Sequence, residues 1–183
     1  DDNGTDLMAV KNAVAPDCNI VFSTNGVAPK ILNFYYNMSA TTVNIASNEG
    51  FGISWCESLH AGTPIINSST GGLQDGCRFE NATSDWIEFD THFPTNHDAT
   101  YKTTGKWSKA VFPTNRSLQG SPQTPYIFDD RVDFKDVGDA IKYWYDMPSA
   151  ERDKCGKAGQ EWVLGNESNM SARRMGVRFI ECI

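Results

Sequence analysis

Ser47-Asn48-Glu49-Gly50-Phe51-Gly52-Ile53-Ser54-Trp55-Cys56-Glu57 decides the fold, because it is the junction between a strand and a helix. Upstream of it, Val43 to Ala46 reads as a buried strand. Downstream, a helix is expected from about Phe51 to Ala61, and Gly62 supplies the left-handed residue that ends it. Pro64-Ile65-Ile66-Asn67 then forms the next buried strand. A strand, a crossover helix and a second strand imply a parallel sheet covered on both faces.

The same alternation extends towards the start of the chain. Leu7, Val10 and Val14 repeat at helical spacing before Pro16 stops the helix. Ile20-Val21-Phe22, within Asn19 to Ser23, reads as another buried strand, and Asn25-Gly26 as a turn. Pro29 suits the first turn of a helix carrying Ile31, Leu32, Phe34, Tyr35 and Tyr36. From about Phe79 to Phe128 the alternation breaks. Trp86-Ile87-Glu88-Phe89 alternates like a half-exposed strand, Trp107 to Phe112 is a second candidate, and loops rich in Thr, Asn, Pro and Gly lie between them. Helices resume at Asp133, a candidate N-cap, with Val137, Ile141, Trp144 and Tyr145 on one expected face. Pro148-Ser149 opens a helix to about Leu164. The last begins near Ser168 or Ser171 and spaces Met175, Phe179 and Ile183 at i, i+4 and i+8.

The length of 183 residues fits one ordinary domain with a real core. No apolar run approaches the roughly 18 residues of a membrane span. The opening Asp1-Asp2-Asn3-Gly4 is acidic and polar where a secretory signal would be basic and then apolar. That abrupt opening, with an ending inside an amphipathic pattern, points to a piece of a longer protein. A net charge of −7 gives the chain no global attraction for nucleic acid. It also opposes any anionic ligand, so a phosphate site has to be made locally. Cys18, Cys56, Cys77, Cys155 and Cys182 form no C-x-x-C pair and are odd in number, which fits free thiols in a reducing compartment.

The junction has the chemistry for such a local site. It lies at the carboxyl edge of a parallel sheet, where open α/β folds bind ligands. Glycines let backbone N–H groups approach a ligand closely. The first-turn amides near Gly52, Ile53 and Ser54 have no partner within the helix. About half a positive charge at that end stabilises a diphosphate by ~0.3–2 kcal/mol. Glu49 and Glu57 frame it. A carboxylate accepts two hydrogen bonds at once, which suits a vicinal diol, at roughly 1.5–3 kcal/mol per buried charge-assisted bond. Taken singly, each has a plainer reading: Glu49 as an N-terminal acid on the helix, Glu57 as a solvated helix residue.

Taken together, the run E-G-F-G-I-S-W-C-E-S-L-H-A-G-T-P-I-I-N-S-S-T-G-G, Glu49 to Gly72, resembles the retaining glycosyltransferases of the GT-B fold. Those enzymes carry Glu, seven residues and Glu around E-G-F-G, then A-x-G-x-P-V-I and a Gly-Gly loop. The resemblance is close over 19–78 and looser over 129–165. It implies a Rossmann-like parallel sheet with helices on both faces, forming one partial domain of a two-domain enzyme, with a loop and β insertion at about 79–128. It also implies residue roles. Glu49, with backbone of Gly50, Phe51 and Gly52, would contact the donor sugar. The amides of Ile53 and Ser54 would hold the distal phosphate, and Glu57 the ribose hydroxyls. Val27 would lie near the base, and Gly71-Gly72 would shape the adjacent loop. The reaction implied is hexosyl transfer from a nucleotide-diphosphate sugar with retention, with no obligatory metal or cofactor.

The resemblance has gaps. The family's Arg and Lys that clamp the diphosphate fall upstream of this chain, whose first fifteen residues offer only Lys11, and an N-terminal acceptor domain would be a missing partner. The 79–128 stretch replaces a shorter one and is rich in aromatics, among them Trp86, Phe89, Phe93, Tyr101, Trp107 and Phe112. A satellite core under a long loop explains them better than a sugar platform. Its wording from Val111 to Val132 is similar to glycosyltransferases carried by tailed bacteriophages, which would place the protein in the cytoplasm of a bacterial host. His92 and His97 beside Asp90 and Asp98 lack zinc spacing and are expected to be exposed loop residues. Asp129-Asp130-Arg131-Val132-Asp133 lacks the Asp-x-Asp spacing of metal-dependent transferases, and helix capping accounts for Asp133. His60 is expected to pack or hydrogen-bond on its helix. The alternatives are an epimerase of the same architecture and a non-catalytic module that binds sugar nucleotides or glycans.

Overall fold

The computed structural model describes residues 5–123, 126–168 and 170–182; the opening Asp1 to Gly4 and the final apolar position, Ile183, lie outside them. Helices α1 (Leu7–Val14) and α2 (Pro29–Met38) precede strand β1 (Thr42–Asn44). Helix α3 (Ile53–His60) leads to β2 (Ile65–Ser68) and α4 (Leu73–Cys77). Strands β3 (Ser108–Val111), β4 (Pro113–Gln119) and β5 (Ile127–Val132) follow, then α5 (Phe134–Asp146), α6 (Ser149–Leu164) and α7 (Ala172–Glu181).

The junction folds as its sequence requires. β1 and β2 pair in parallel, Thr42 opposite Ile65 and Asn44 opposite Asn67, with α3 in the crossover. Gly62 adopts φ +79° just beyond α3. β2 then pairs in parallel with β3, so the sheet has the order β1-β2-β3. Successive residues of β2 supply both faces. Ile65 joins Trp55, Leu59, Leu73, Trp107, Trp162 and Val163 on one side, so α3, α4 and α6 cover that face. Ile66 joins Val111, Val137 and Trp144 on the other, under α5. The chain is therefore a mixed α/β fold around a small parallel sheet with helices on both faces. Among the described residues, no helix is long and apolar enough to cross a membrane.

Five details depart from the sequence-based expectations. The strand expected to be buried at Val43 to Ala46 is the edge strand β1, with Val43 40 % exposed and Ile45 just beyond it also exposed. Ile20-Val21-Phe22 is not a strand, and Val21 is 88 % exposed. An apolar run becomes a strand only where a neighbour supplies ladder hydrogen bonds, and no described strand lies beside it. Trp86 to Phe89 makes only an isolated bridge, Trp86 with Glu80. Residues 108–111, inside the stretch read as an insertion, are the third strand of the central sheet. Finally, the buried stripe of α5 is Val137 and Trp144 with Ala140 beside them, whereas Ile141 and Tyr145 are exposed.

The aromatics of this stretch are half-buried against one another, with Phe79 and Trp107 buried at its two ends. Phe79 meets Phe89 and Phe112, Phe89 stacks on Phe93, and Phe93 meets Tyr101 edge-on. A second ring group centres on Trp162 of α6, with Trp86 of the stretch and Trp107 at its end at centroid distances of 5.7 and 5.0 Å. Beyond β3, the antiparallel hairpin β4–β5 keeps Tyr126 and Phe128 exposed.

Candidate functional site

The loop from β1 to α3 is held by backbone contact with the loop from β2 to α4. Gly72 N donates to Glu49 O at 3.1 Å. Gly71, at φ +45°, lies so close that a Cβ there would stand 1.9 Å from the Glu49 carbonyl oxygen. A Cβ on Gly72 would stand 2.5 Å from both Gly50 O and Phe51 Cα. The Gly-Gly pair is thus a requirement of contact between two loops.

Gly52 is the N-cap of α3 in the left-handed conformation, φ +76° and ψ 62°, and makes no side-chain cap bond. Trp55 N bonds back to Gly52 O, so the Ile53 and Ser54 amides fall in the first turn, where a helix has no internal acceptors for them. The Ser54 hydroxyl accepts from Asn44 Nδ2 at 2.9 Å, fastening the helix start to the end of β1. Trp55 Nε1 donates to Phe51 O at 2.7 Å and fixes the turn from inside. Glu49 is half-buried, and its Oε1 accepts from its own neighbour, Gly50 N, at 3.1 Å.

Glu57 lies one turn and a little more into α3, on the face shared with Ile53 and His60. These three line a cavity of about 660 Å³ with Phe51, with Leu32 and Tyr36 of α2, and with Met170 and Met175 near and on α7. The cavity is mostly apolar, and Glu57 is its carboxylate. Tyr36 donates its hydroxyl to Glu57 Oε2 at 2.9 Å. Burial first, and then the bond to Glu57 and its charge, push the Tyr36 hydroxyl up to about 12, so it stays a donor at neutral pH. Burial and the Glu57 charge also push the Cys56 thiol up, away from the reactive thiolate. His60 Nδ1 lies 2.8 Å from Cys56 O, the hydrogen-bonding role expected of it.

Of the residues read as a site, Phe51, Ile53 and Glu57 share this cavity; Glu49, Gly50, Gly52, Gly71 and Gly72 form the loop pair beside it, and Ser54 lies in the first turn of α3. Val27 is half-buried two residues ahead of α2 and is not part of the lining. Asp133 caps α5 by accepting from Lys135 N, as expected. Asp90 and Asp98 are turned to their own loops, accepting from the amides of His92 and Phe93 and of Thr100. His92 is exposed as expected, but His97 is only half-exposed, with Nδ1 buried and unpartnered among the described residues.

The important residue with no sequence signature is Asp130, 2 % exposed on β5. It accepts from Thr70 Oγ1 at 2.8 Å and pairs with Arg116 Nε at 2.9 Å, while its backbone N donates to Ser47 O at 2.8 Å. Asp130 thereby locks the hairpin to both loops of the candidate site. No family model matches the chain, and no curated protein matches it in sequence.

Proposed function

We propose that this chain is the donor-binding part of a retaining glycosyltransferase of the GT-B fold, taking a hexosyl group from a nucleotide-diphosphate sugar. The observation that carries the reading is the start of α3, uncapped by any side chain, held in a glycine-lined loop pair and flanked by Glu49 and Glu57. A diphosphate at the Ile53 and Ser54 amides gains from hydrogen bonds and from the helix field together. Glu49 would receive hexose hydroxyls, and Glu57 the ribose hydroxyls inside the cavity. In transfer with retention, the bond from the anomeric carbon to the diphosphate oxygen breaks. A bond to the acceptor oxygen forms on the same face, and the leaving phosphate takes the acceptor proton. No protein nucleophile and no divalent metal need take part. An acceptor-binding domain would complete the enzyme, and a cytoplasmic location suits its five cysteines, all free thiols.

Calorimetric titration with UDP-, GDP- and ADP-sugars tests the proposal. One of them is expected to bind, and Glu57→Ala is expected to weaken that binding about tenfold or more, the equivalent of 1.4 kcal/mol. Unchanged affinity in Glu57→Ala would remove the ribose assignment. Binding of none of the three would favour a non-catalytic glycan-binding module instead.

A further inference from the structure

We infer that Tyr36 is a positioning residue: it presets the Glu57 carboxylate for a ribose diol and so sets the preference for ribo- over 2′-deoxyribonucleotides. The inference rests on the proposed donor site. Its basis is the bond from Tyr36 Oη to Glu57 Oε2, 2.9 Å long, which joins α2 to α3 between two residues that line the cavity. A glutamate in mid-helix has three side-chain torsions and little reason to hold one orientation. The lining is chiefly apolar, with Leu32, Phe51, Ile53 and Met175, and its polar members Asn33 and His60 are bonded to Asn37 and to the Cys56 carbonyl. Tyr36 supplies the carboxylate's anchor.

Tyr36 is itself well fixed. Its carbonyl accepts from Thr63 Oγ1 at 2.7 Å and from Ser39 N at 3.1 Å, so the end of α2 is tied to the turn between α3 and β2. Tyr36 also lies within α2, so its hydroxyl reaches Glu57 from a helical backbone that does not depend on the Thr63 bond alone. An ionised carboxylate has about four acceptor positions, and Tyr36 takes one. The rest remain for two neighbouring hydroxyls, with the plane of the carboxylate already set. The cavity volume falls within the roughly 300–1,000 Å³ usual for small-molecule sites. A bond that only fastened α2 to α3 would have no bearing on which sugar is bound, and this separates the two roles.

The test is calorimetric titration of the chain, of Tyr36→Phe and of Thr63→Val with UDP, GDP and ADP and their 2′-deoxy counterparts. Tyr36→Phe keeps the ring and removes only the hydroxyl. Thr63→Val loosens the tie at the end of α2 and leaves the hydroxyl in place. The unmodified chain is expected to prefer a ribonucleotide about tenfold, a ratio worth 1.4 kcal/mol. In Tyr36→Phe the ribonucleotide should weaken three- to tenfold while its deoxy counterpart hardly changes, so the preference collapses. Thr63→Val should keep the preference. If Tyr36→Phe keeps it too, or Thr63→Val loses it equally, Tyr36 only packs, and the donor-site reading stands without it. If the unmodified chain binds no nucleotide, the donor-site reading fails and this inference with it.

Discussion

Gly71 shows how a single missing side chain shapes the site. Its hypothetical Cβ meets the Glu49 carbonyl oxygen at 1.9 Å, and its φ of +45° already disfavours any other residue. Gly71→Ala must therefore push the Glu49 loop away from the β2–α4 loop. Strain of this kind costs about 1–3 kcal/mol, and 1 kcal/mol lowers Tm by ~2–4 °C in a domain of this size. A melt by circular dichroism should show that fall, and titration should show donor affinity falling with it. Gly138 makes the contrast, since a Cβ there meets nothing within 4 Å and the residue lies inside α5. Gly138→Ala should raise stability by ~0.4–1 kcal/mol through the unfolded chain. Equal effects from the two substitutions would mean that the loop contact imposes no constraint.

Among elements, the unit β1–α3–β2 is legible because local chemistry specifies each part: β-branched strands, an αL glycine before the helix and another after it. Asp133 is legible as a cap for the same reason. The elements that escape are those made by distant partners. Pro113 to Gln119 has a polar, irregular composition and becomes β4 only by pairing with Ile127 to Val132. Trp107 to Phe112 offers strand residues, but only Ile65 to Ser68 makes β3 part of the central sheet. Conversely, Ile20 to Phe22 has strand composition and no partner strand among the described residues. The candidate site divides in the same way. Its glycines and both glutamates are visible in sequence, whereas the Tyr36–Glu57 bond and the Asp130 lock span 21 and 60 residues. The hairpin is held to the site by this lock, so Asp130→Asn should act beyond its own strand. It removes the Arg116 ion pair and weakens the Thr70 bond. Arg116 keeps some exposure, so the loss should fall near or below the low end of the ~3–5 kcal/mol found for breaking buried pairs. Amide hydrogen exchange should quicken in Ser47 to Gly52 as well as in the hairpin. Faster exchange confined to the hairpin would show that the site loops stand without it.

At the scale of the whole molecule, the question is whether the aromatic stretch between α4 and β3 is an appendage or part of one cooperative unit. Trp162 answers it structurally. This α6 residue, 7 % exposed, has ring contacts with Trp55 of α3, with Trp107 at the entrance to β3, and with Trp86 inside the stretch. An appendage would have its own small core and would melt on its own. A stretch whose tryptophan shares a ring cluster with the central helices should melt with them. Trp162→Ala empties the centre of that cluster, at a cost of ~3–5 kcal/mol for a buried aromatic, or ~6–20 °C in Tm. Trp162→Phe keeps most of the packing and removes an indole N–H that is buried without a partner among the described residues. It should cost much less, because the lost area is partly offset by losing an unsatisfied donor. In both variants, near-ultraviolet circular dichroism and limited proteolysis within residues 81–104 should report one transition, displaced together. Early cleavage of that stretch in Trp162→Ala, with the rest of the melt unmoved, would show that α6 merely covers an independent loop.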